Sequence, residues 1–184
     1  LPLAPNHGTS DVREHANMKA SEMIDYVNQS VTITTGLGEE IGVVGLSGGS
    51  LLGTWAAQYR PEVERLLLLS PFYEPAASQA PKWQLPLLKV LHGKRIIPDA
   101  YSNGGDERNP GFSYRALAQY LIIGENFKKN PTDLSLKNIG VVTSEDDDAI
   151  DKDLAHSIPE SIANANNLKL LTESIPAAWE TGHA

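Results

Sequence analysis

The sequence predicts an α/β domain built on a parallel sheet, and three observations carry that prediction. Short apolar segments typical of strands alternate with amphipathic segments typical of helices along the 184 residues. The run from Leu66 to Leu69 is continuously apolar, which is typical of a strand covered on both faces, as in a parallel sheet. The glycine-rich run from Gly45 to Gly49 joins one such strand directly to a helix.

The predicted elements are bounded by turn and capping residues. A helix is expected over about 11–29, where Ser10 and Asp11 are suitable N-terminal caps. The further elements expected along the chain are strands over 41–44, 65–70, 139–143 and 168–171 and helices over 50–59 and 151–164, the last interrupted or shifted by Pro159.

A long insertion, about 72–137, separates the second predicted strand from the third. It is rich in Pro, Gly and Asn at its ends and centre, and helices are expected near 83–92 and 113–129. Some of its aromatic side chains are expected to form the core of a small helical subdomain. These aromatic residues are Trp83, Tyr101, Phe112, Tyr114, Tyr120 and Phe127.

Composition excludes several classes of protein. The formal net charge of −8 and the isoelectric point near 5.1 argue against a nucleic-acid partner, and Lys and Arg form no cluster that contradicts this. The absence of cysteine excludes disulfides and thiol chemistry, and no apolar stretch reaches the length of a membrane span. We therefore expect a soluble protein without an integral membrane segment, with a cytoplasmic location slightly favoured. The oligomeric state is not indicated.

The run from Gly45 to Gly49 carries most of the functional information. A G-x-S-x-G pattern between a strand and a helix predicts a nucleophile elbow, in which the serine adopts a strained backbone conformation. Gly45 and Gly49 are expected because such a turn leaves no room for side chains at these positions. The Ser47 hydroxyl would then stand above the sheet, with the Gly48 amide free to donate to an oxyanion.

A glycine-rich turn between a strand and a helix can also cradle a phosphate group. A P-loop requires a lysine after its glycines, but two leucines follow Ser50 here. A dinucleotide fingerprint requires G-x-G-x-x-G after the strand, whereas Gly36 and Gly38 precede it. The nucleophile elbow is therefore the preferred interpretation.

The chain offers partners for a nucleophilic serine, which requires a base to accept its proton and an acid to orient that base. The acidic run 145–148 follows the predicted strand over 139–143, and His183 follows the last predicted strand. Serine, acid and histidine thus come in this order at the carboxyl ends of three predicted strands. The alternative for the acidic run is a metal site or a solvated loop, and the run does not fit the pattern of a calcium-binding loop. The alternative for His183 is a histidine in a frayed chain end.

The remaining histidines are weaker candidates. His15 falls in the first predicted helix, His92 in the insertion and His156 in the last predicted helix. We interpret all three as surface or structural residues.

These motifs resemble the α/β-hydrolase superfamily, in its carboxylesterase, monoacylglycerol lipase and lysophospholipase-like branch. The matching stretches are VVGLSGGSLLGTWAAQYRPEVERLLLLSPF, VVTSEDDDAID and TGHA, and the opening LPLAPNHGTS resembles the loop after the family's fourth strand. The resemblance implies an α/β-hydrolase fold, with a mostly parallel sheet flanked by helices and a helical cap insertion. It assigns 1–71 and 138–184 to the core and 72–137 to the cap or lid.

The resemblance also bears on the choice of acid. The family pattern S-E-x-D places the acid at the fourth position, which is Asp147 here. Its neighbours Asp146, Asp148 and Glu145 remain alternatives.

The chain departs from the family at both ends. A complete hydrolase has about three further strands before the first residue of this sequence, and the loop after the third donates the second oxyanion amide. The helix that usually follows the catalytic histidine is also missing. We therefore expect a longer polypeptide, and no residue of this chain is assigned as the second oxyanion donor.

The resemblance implies a serine hydrolase that cleaves a carboxylic ester, with an apolar acyl group under the aromatic cap. Ser47 would be the nucleophile, His183 the base, Asp147 the acid that orients the base, and the Gly48 N–H an oxyanion donor. The expected partner is a small-molecule ester or lipid, and neither a metal nor an organic cofactor is implied. The alternatives are an acyltransferase or thioesterase with the same triad, and a catalytically silent binding protein of this fold.

Overall fold

Four parallel strands form one sheet, and their order along the chain is also their order across the sheet. The structure is a computed structural model that describes residues 2–8, 12–101 and 112–183. All neighbouring strands are parallel, so the predicted α/β architecture is confirmed and the carboxyl ends of the strands meet at one edge. The strands are β1 (Ile41–Leu46), β2 (Val63–Leu69), β3 (Asn138–Ser144) and β4 (Leu170–Ile175).

Helices flank this sheet and supply most of the core. The helices are α1 (Ala20–Thr35), α2 (Gly48–Tyr59), the single turn α3 (Leu85–Leu88), α4 (Tyr114–Gly124) and α5 (Lys152–Ala165). α2 packs against β1 and β2, and α5 packs against β3. Within the described ranges, no helix is long and apolar enough to cross a membrane.

The strand side chains alternate between a covered face and an exposed face. Leu66 and Leu68 are buried next to Gly53 of α2, whereas Leu67 between them is 38 % exposed. The expectation that the leucine run is covered on both faces is therefore wrong for the described residues. Successive side chains of a strand point to opposite faces, and both α2 and α5 lie on the Leu66 side, where Thr143 of β3 contacts His156 of α5.

The first helix begins and ends later than predicted. α1 follows a 3₁₀ turn over 12–17 and extends beyond the predicted end at residue 29. The predicted caps Ser10 and Asp11 lie outside the described residues. The end of α1 is rich in threonine, and β-branched side chains weaken the helical signal. This end is helical because Val31 packs in the core and the threonine hydroxyls donate to carbonyls of the preceding turn, at 2.8 Å.

Two elements near the C-terminus also differ from the prediction. α5 continues through Pro159 without interruption, because Asp151 caps its first turn and Ala155 and Ile162 are buried on either side of the proline. β4 begins and ends later than predicted. It is an edge strand whose exposed residues include Glu173, so no continuous apolar run marks it in the sequence.

The insertion between β2 and β3 has a small buried cluster of its own, formed by Ala80, Leu85, Leu117 and Leu121, and it also packs against the main core. The predicted helix near 83–92 is a succession of 3₁₀, α and π turns, and the predicted helix near 113–129 ends at Gly124. α4 packs against α1 and α2, and its Ala116 and Ile123 lie in the same buried cluster as the sheet residues.

Candidate active site

Ser47 lies in a sharp turn between β1 and α2, here called the serine turn (residues 45–49). Its backbone has φ 52° and ψ −121°, a conformation that costs a residue with a side chain about 1–3 kcal/mol. Three backbone hydrogen bonds hold this conformation, and one of them runs from the Ser50 N–H to the Ser47 carbonyl at 2.9 Å. The Ser47 N–H donates to the Leu69 carbonyl at 2.9 Å, and the Phe72 N–H donates to the Ser47 carbonyl at 3.2 Å. The end of β2 therefore maintains the strain at Ser47.

The two glycines that flank Ser47 in the motif have different steric environments. A Cβ at Gly45 would lie 2.5 Å from the Gly49 carbonyl oxygen and from the Ser50 Cα, so no side chain fits there. Apart from its chain neighbours and the nearby backbone of α2, a Cβ at Gly49 would meet no atom of the described residues within 4 Å. The expectation that the turn leaves no room at Gly49 is therefore wrong, because this residue already belongs to α2 and its Cβ position faces open space.

Gly48 is sterically constrained by Tyr120, one of the aromatic residues of the insertion. A Cβ at Gly48 would lie 2.8 Å from Cε1 of Tyr120, which belongs to α4 in the insertion. Gly48 is also the first residue of α2, so its N–H has no acceptor within the helix. Burial raises the pKa of Tyr120 to about 12, so its hydroxyl keeps its proton at neutral pH. No local pattern connects Tyr120 with Gly48, since their contact is tertiary.

The structure brings the Ser47, His183 and Asp147 side chains into one hydrogen-bonded chain. His183 Nε2 lies 2.7 Å from Ser47 Oγ, and His183 Nδ1 lies 2.9 Å from Asp147 Oδ2. A carboxylate can only accept, so Nδ1–H donates to Asp147 and Nε2 is left to accept the Ser47 proton. The three residues follow β1, β3 and β4, whose carboxyl ends meet at one edge of the sheet.

Among the acidic residues 145–148, Asp147 is the one whose carboxylate reaches the imidazole of His183. Its side chain is buried, with 1 % of the residue exposed, and its second oxygen accepts the Ala149 N–H at 3.0 Å. Asp148 is exposed, and it is its backbone carbonyl that accepts the Gln79 amide at 3.2 Å. Both Asp147 oxygens thus accept hydrogen bonds, one from the imidazole and one from the backbone.

Glu145 and Asp146 contact the segment that carries His183, here called the histidine loop (residues 176–183). Glu145 Oε2 accepts the Ala177 N–H at 3.1 Å, and Asp146 Oδ2 accepts the Gly182 N–H at 3.0 Å. The Ser144 hydroxyl donates to the other oxygen of Asp146, and these bonds lower the pKa of Asp146 from its usual value. Each of the first three acidic residues therefore contacts a different point of the histidine loop.

A cavity of about 580 Å³ opens beside Ser47 and His183. Its wall is mainly apolar and comes from the N-terminal segment, α1, α2 and the insertion. The apolar lining includes Met18, Met23, Leu52, Phe72, Leu117 and Tyr120. Volumes and linings of this kind are typical of small-molecule sites.

Two further histidines, His7 and His15, line the same cavity. The rings of His7 and His15 have their centroids 5.3 Å apart, and His7 Nδ1–H donates to the Pro5 carbonyl at 2.8 Å. Burial, followed by the nearby His7, lowers the pKa of His15 below its usual value. His15 reaches the wall because residues 12–17 form a 3₁₀ turn rather than the start of the predicted helix.

Within the described ranges, no group of three or more His, Cys, Asp or Glu side chains is arranged to hold a metal ion. The carboxylates at the acidic run instead accept hydrogen bonds from the histidine loop.

The sheet, the serine turn and the order of the site residues define the class of structure, which is the α/β-hydrolase fold. Three solved structures that are similar to this chain are lipolytic proteins. One comes from work on the metagenome-derived lipolytic enzymes LipS and LipT, with a TM-score of 0.66 and 20 % identity over 93 % of this chain. A soluble variant of monoglyceride lipase from Saccharomyces cerevisiae has a TM-score of 0.65 and 13 % identity over 92 % of this chain.

The third is the monoacylglycerol lipase of Paleococcus ferrophilus, with a TM-score of 0.63 and 12 % identity over 86 % of this chain. The chain spans 69 %, 64 % and 66 % of the lengths of these three proteins, in the order given. No protein-family model matches the sequence, and no curated protein matches it. The structural similarities therefore establish the fold.

Proposed function

We propose that the protein is a serine hydrolase that cleaves a carboxylic ester with an apolar acyl group. The observation that carries the proposal is the hydrogen-bonded chain from Ser47 through His183 to the buried Asp147, at the wall of a mainly apolar cavity. The fold shared with lipolytic proteins and monoacylglycerol lipases supports the same class of reaction.

In the proposed reaction, Ser47 Oγ attacks the ester carbonyl carbon while His183 Nε2 accepts the hydroxyl proton. Asp147 keeps the proton of Nδ1 in place and stabilises the imidazolium that forms. When the tetrahedral intermediate collapses, the C–O bond to the leaving alcohol breaks and the imidazolium returns the proton to that oxygen. Water then attacks the acyl-enzyme by the same route, releasing the carboxylic acid and restoring Ser47.

The strained backbone of Ser47 and the N-terminus of α2 support this assignment of the nucleophile. In the proposed elbow, the Gly48 N–H donates to the oxyanion, because as the first N–H of α2 it has no acceptor within the helix. Removing such a donor costs about 3 kcal/mol of transition-state stabilisation.

The cavity lining supports an apolar acyl group. Phe72, Leu117 and Tyr120 come from the insertion and meet Met18 and Met23 across the cavity, so residues 72–137 would act as a cap over Ser47. Burying an acyl chain against such a wall yields about 25 cal/mol per Å² of apolar surface.

The test is steady-state hydrolysis of p-nitrophenyl esters of increasing acyl length by the full chain and by Ser47→Ala. We expect turnover that improves from acetate to medium-chain esters and falls at least about 10³-fold in Ser47→Ala. Equal activity in the variant would contradict the proposal. An initial burst of p-nitrophenol without steady turnover, relieved by an added alcohol or thiol, would identify an acyltransferase. Ester binding without a burst would identify a binding protein.

A further inference from the structure

The histidine loop is held mainly by hydrogen bonds rather than by burial. Trp179 is 70 % exposed, and most side chains from Leu171 to Thr181 are exposed as well. The backbone of the loop is left-handed at Glu180, with φ 49°, and at Gly182, with φ 59°. A segment with little buried apolar surface and an irregular backbone has low local stability unless polar contacts hold it.

His183 itself bonds to Asp147, and the residue before it, Gly182, bonds to Asp146. One carboxylate oxygen accepts the Gly182 N–H at 3.0 Å, and the other accepts the Ser144 hydroxyl. Because the Ser144 proton points to Asp146, Thr181 donates its hydroxyl proton to Ser144 Oγ, at 2.8 Å. The two residues before His183 are therefore tied to the end of β3 through one carboxylate.

Ser144 makes this network rigid at its base. It is the last residue of β3, with 1 % of its surface exposed, and it pairs with Ile175 of β4. The network of Ser144, Asp146, Thr181 and Gly182, here called the loop clamp, therefore links the sheet directly to the backbone of the residue before His183.

We propose that Asp146 is a positioning residue for His183, acting through the loop clamp. The clamp fixes the loop backbone so that the imidazole meets Ser47 Oγ at 2.7 Å and Asp147 at 2.9 Å at the same time. This inference rests on the proposed serine hydrolase function. A displacement of about 1 Å in a catalytic group costs about 100-fold in rate, which sets the size of the effect when the clamp is lost.

Two substitutions separate the effect of the charge of Asp146 from the effect of its shape. Asp146→Ala removes both acceptor oxygens, whereas Asp146→Asn keeps an acceptor for the Gly182 N–H and can donate its amide to Ser144 Oγ, so it removes the charge that strengthens these bonds while keeping the shape. The matched control is Asp148→Ala, since Asp148 is an exposed acid in the same run and its only described hydrogen bond uses its backbone carbonyl.

The experiment measures kcat, KM and thermal unfolding of the full chain with a p-nitrophenyl ester. We expect Asp146→Ala to lower kcat about 100-fold and Asp146→Asn about 10-fold, with KM unchanged because Asp146 does not line the cavity. Asp148→Ala should match the unsubstituted protein. If Asp146→Ala does not fold, the same comparison is decided by Asp146→Asn.

Unchanged kcat in Asp146→Asn and Asp146→Ala would overturn the inference, and so would an equal loss in Asp148→Ala or a change confined to KM. Hydrogen exchange at the Gly182 amide provides a readout that does not depend on activity, and we expect it to be faster in both Asp146 variants. If the Gly182 amide exchanges faster in the Asp146 variants but the unsubstituted chain does not hydrolyse the ester, the proposed function is overturned and the loop clamp is supported. Unchanged exchange with normal turnover would overturn the clamp alone.

Discussion

The serine turn and the histidine loop supply the two ends of the same hydrogen bond, yet they are held in opposite ways. The serine turn is fixed through backbone groups, since Gly45 has no space for a side chain and backbone hydrogen bonds with Leu69 and Phe72 hold the strained Ser47 between β1 and α2. The histidine loop is fixed from outside by side chains that follow β3. The serine turn therefore depends on backbone geometry that a short motif marks, whereas the histidine loop depends on side-chain acceptors on another strand.

The largest effect is expected at Asp147, because its carboxylate orients the imidazole of His183 that contacts the serine turn. Asp147→Asn should lower kcat by about 10⁴-fold, because the amide can donate to Nδ1 and favours the wrong tautomer of His183. The measurement is ester hydrolysis by a variant whose unfolding transition matches that of the unsubstituted protein. Asp148→Asn is the control and should retain full activity. A larger loss in the control than in Asp147→Asn would contradict the assignment of the acid.

The serine turn can be broken without touching the chemistry. Gly45→Ala should lower the free energy of unfolding by about 3 kcal/mol, because the new methyl group meets backbone atoms that cannot move independently. Gly49→Ala, measured alongside by urea denaturation, should leave stability unchanged or raise it, since its Cβ faces open space and alanine favours helix. Equal destabilisation by the two substitutions would show that the turn is packed differently.

The serine turn also depends on a side-chain contact from the insertion, the one between Gly48 and Tyr120. Gly48→Ala should lower kcat/KM about 10-fold, because the methyl group and the tyrosine ring compete for the same space beside the proposed oxyanion donor. Tyr120→Ala in the Gly48→Ala background should recover part of that loss, with a coupling of about 1 kcal/mol in a double-mutant cycle. Strictly additive effects would mean that the two residues act independently.

The smallest effect concerns acid pH and the histidine loop alone. Hydrogen bonds from Ser144 and from the Gly182 N–H lower the pKa of Asp146, so the loop clamp stabilises the fold above the usual carboxyl pKa and is lost as pH falls through the lowered value. We therefore expect the Gly182 amide to be better protected in the unsubstituted protein than in Asp146→Asn at neutral pH. The difference in exchange, corrected for intrinsic rates, should vanish in strong acid, and a difference that persists there would contradict the role of the charge.

The features that sequence predicts best are those contained in a few neighbouring residues. Apolar runs predict β1, β2 and β3, and the pentapeptide around Ser47 predicts a turn whose geometry requires that Gly45 carry no side chain. Asp147 came from the resemblance, since nothing in the acidic run separates it from Asp146. The structure separates them by direction, because one carboxylate faces the imidazole and the other faces the Gly182 amide.

Contacts between distant segments that no sequence motif marks could not be predicted. The approach of Tyr120 to Gly48, the place of His15 in the cavity wall and the loop clamp all join residues from separate elements. The bounds of β4 were also hard to predict, because at the edge of the sheet polar residues replace the apolar run that marks a buried strand. Periodicity describes one element at a time, so it carries no information on these contacts.

The central claim is that Ser47 is a nucleophile activated by His183, and a fluorophosphonate probe tests it most directly. The full chain and Ser47→Ala are treated with the probe, and the adduct is located by intact mass and peptide mapping. We expect one adduct, on Ser47, absent from Ser47→Ala and formed far more slowly in His183→Ala. An adduct on another residue, labelling that persists in Ser47→Ala, or an unlabelled wild-type chain would contradict the claim.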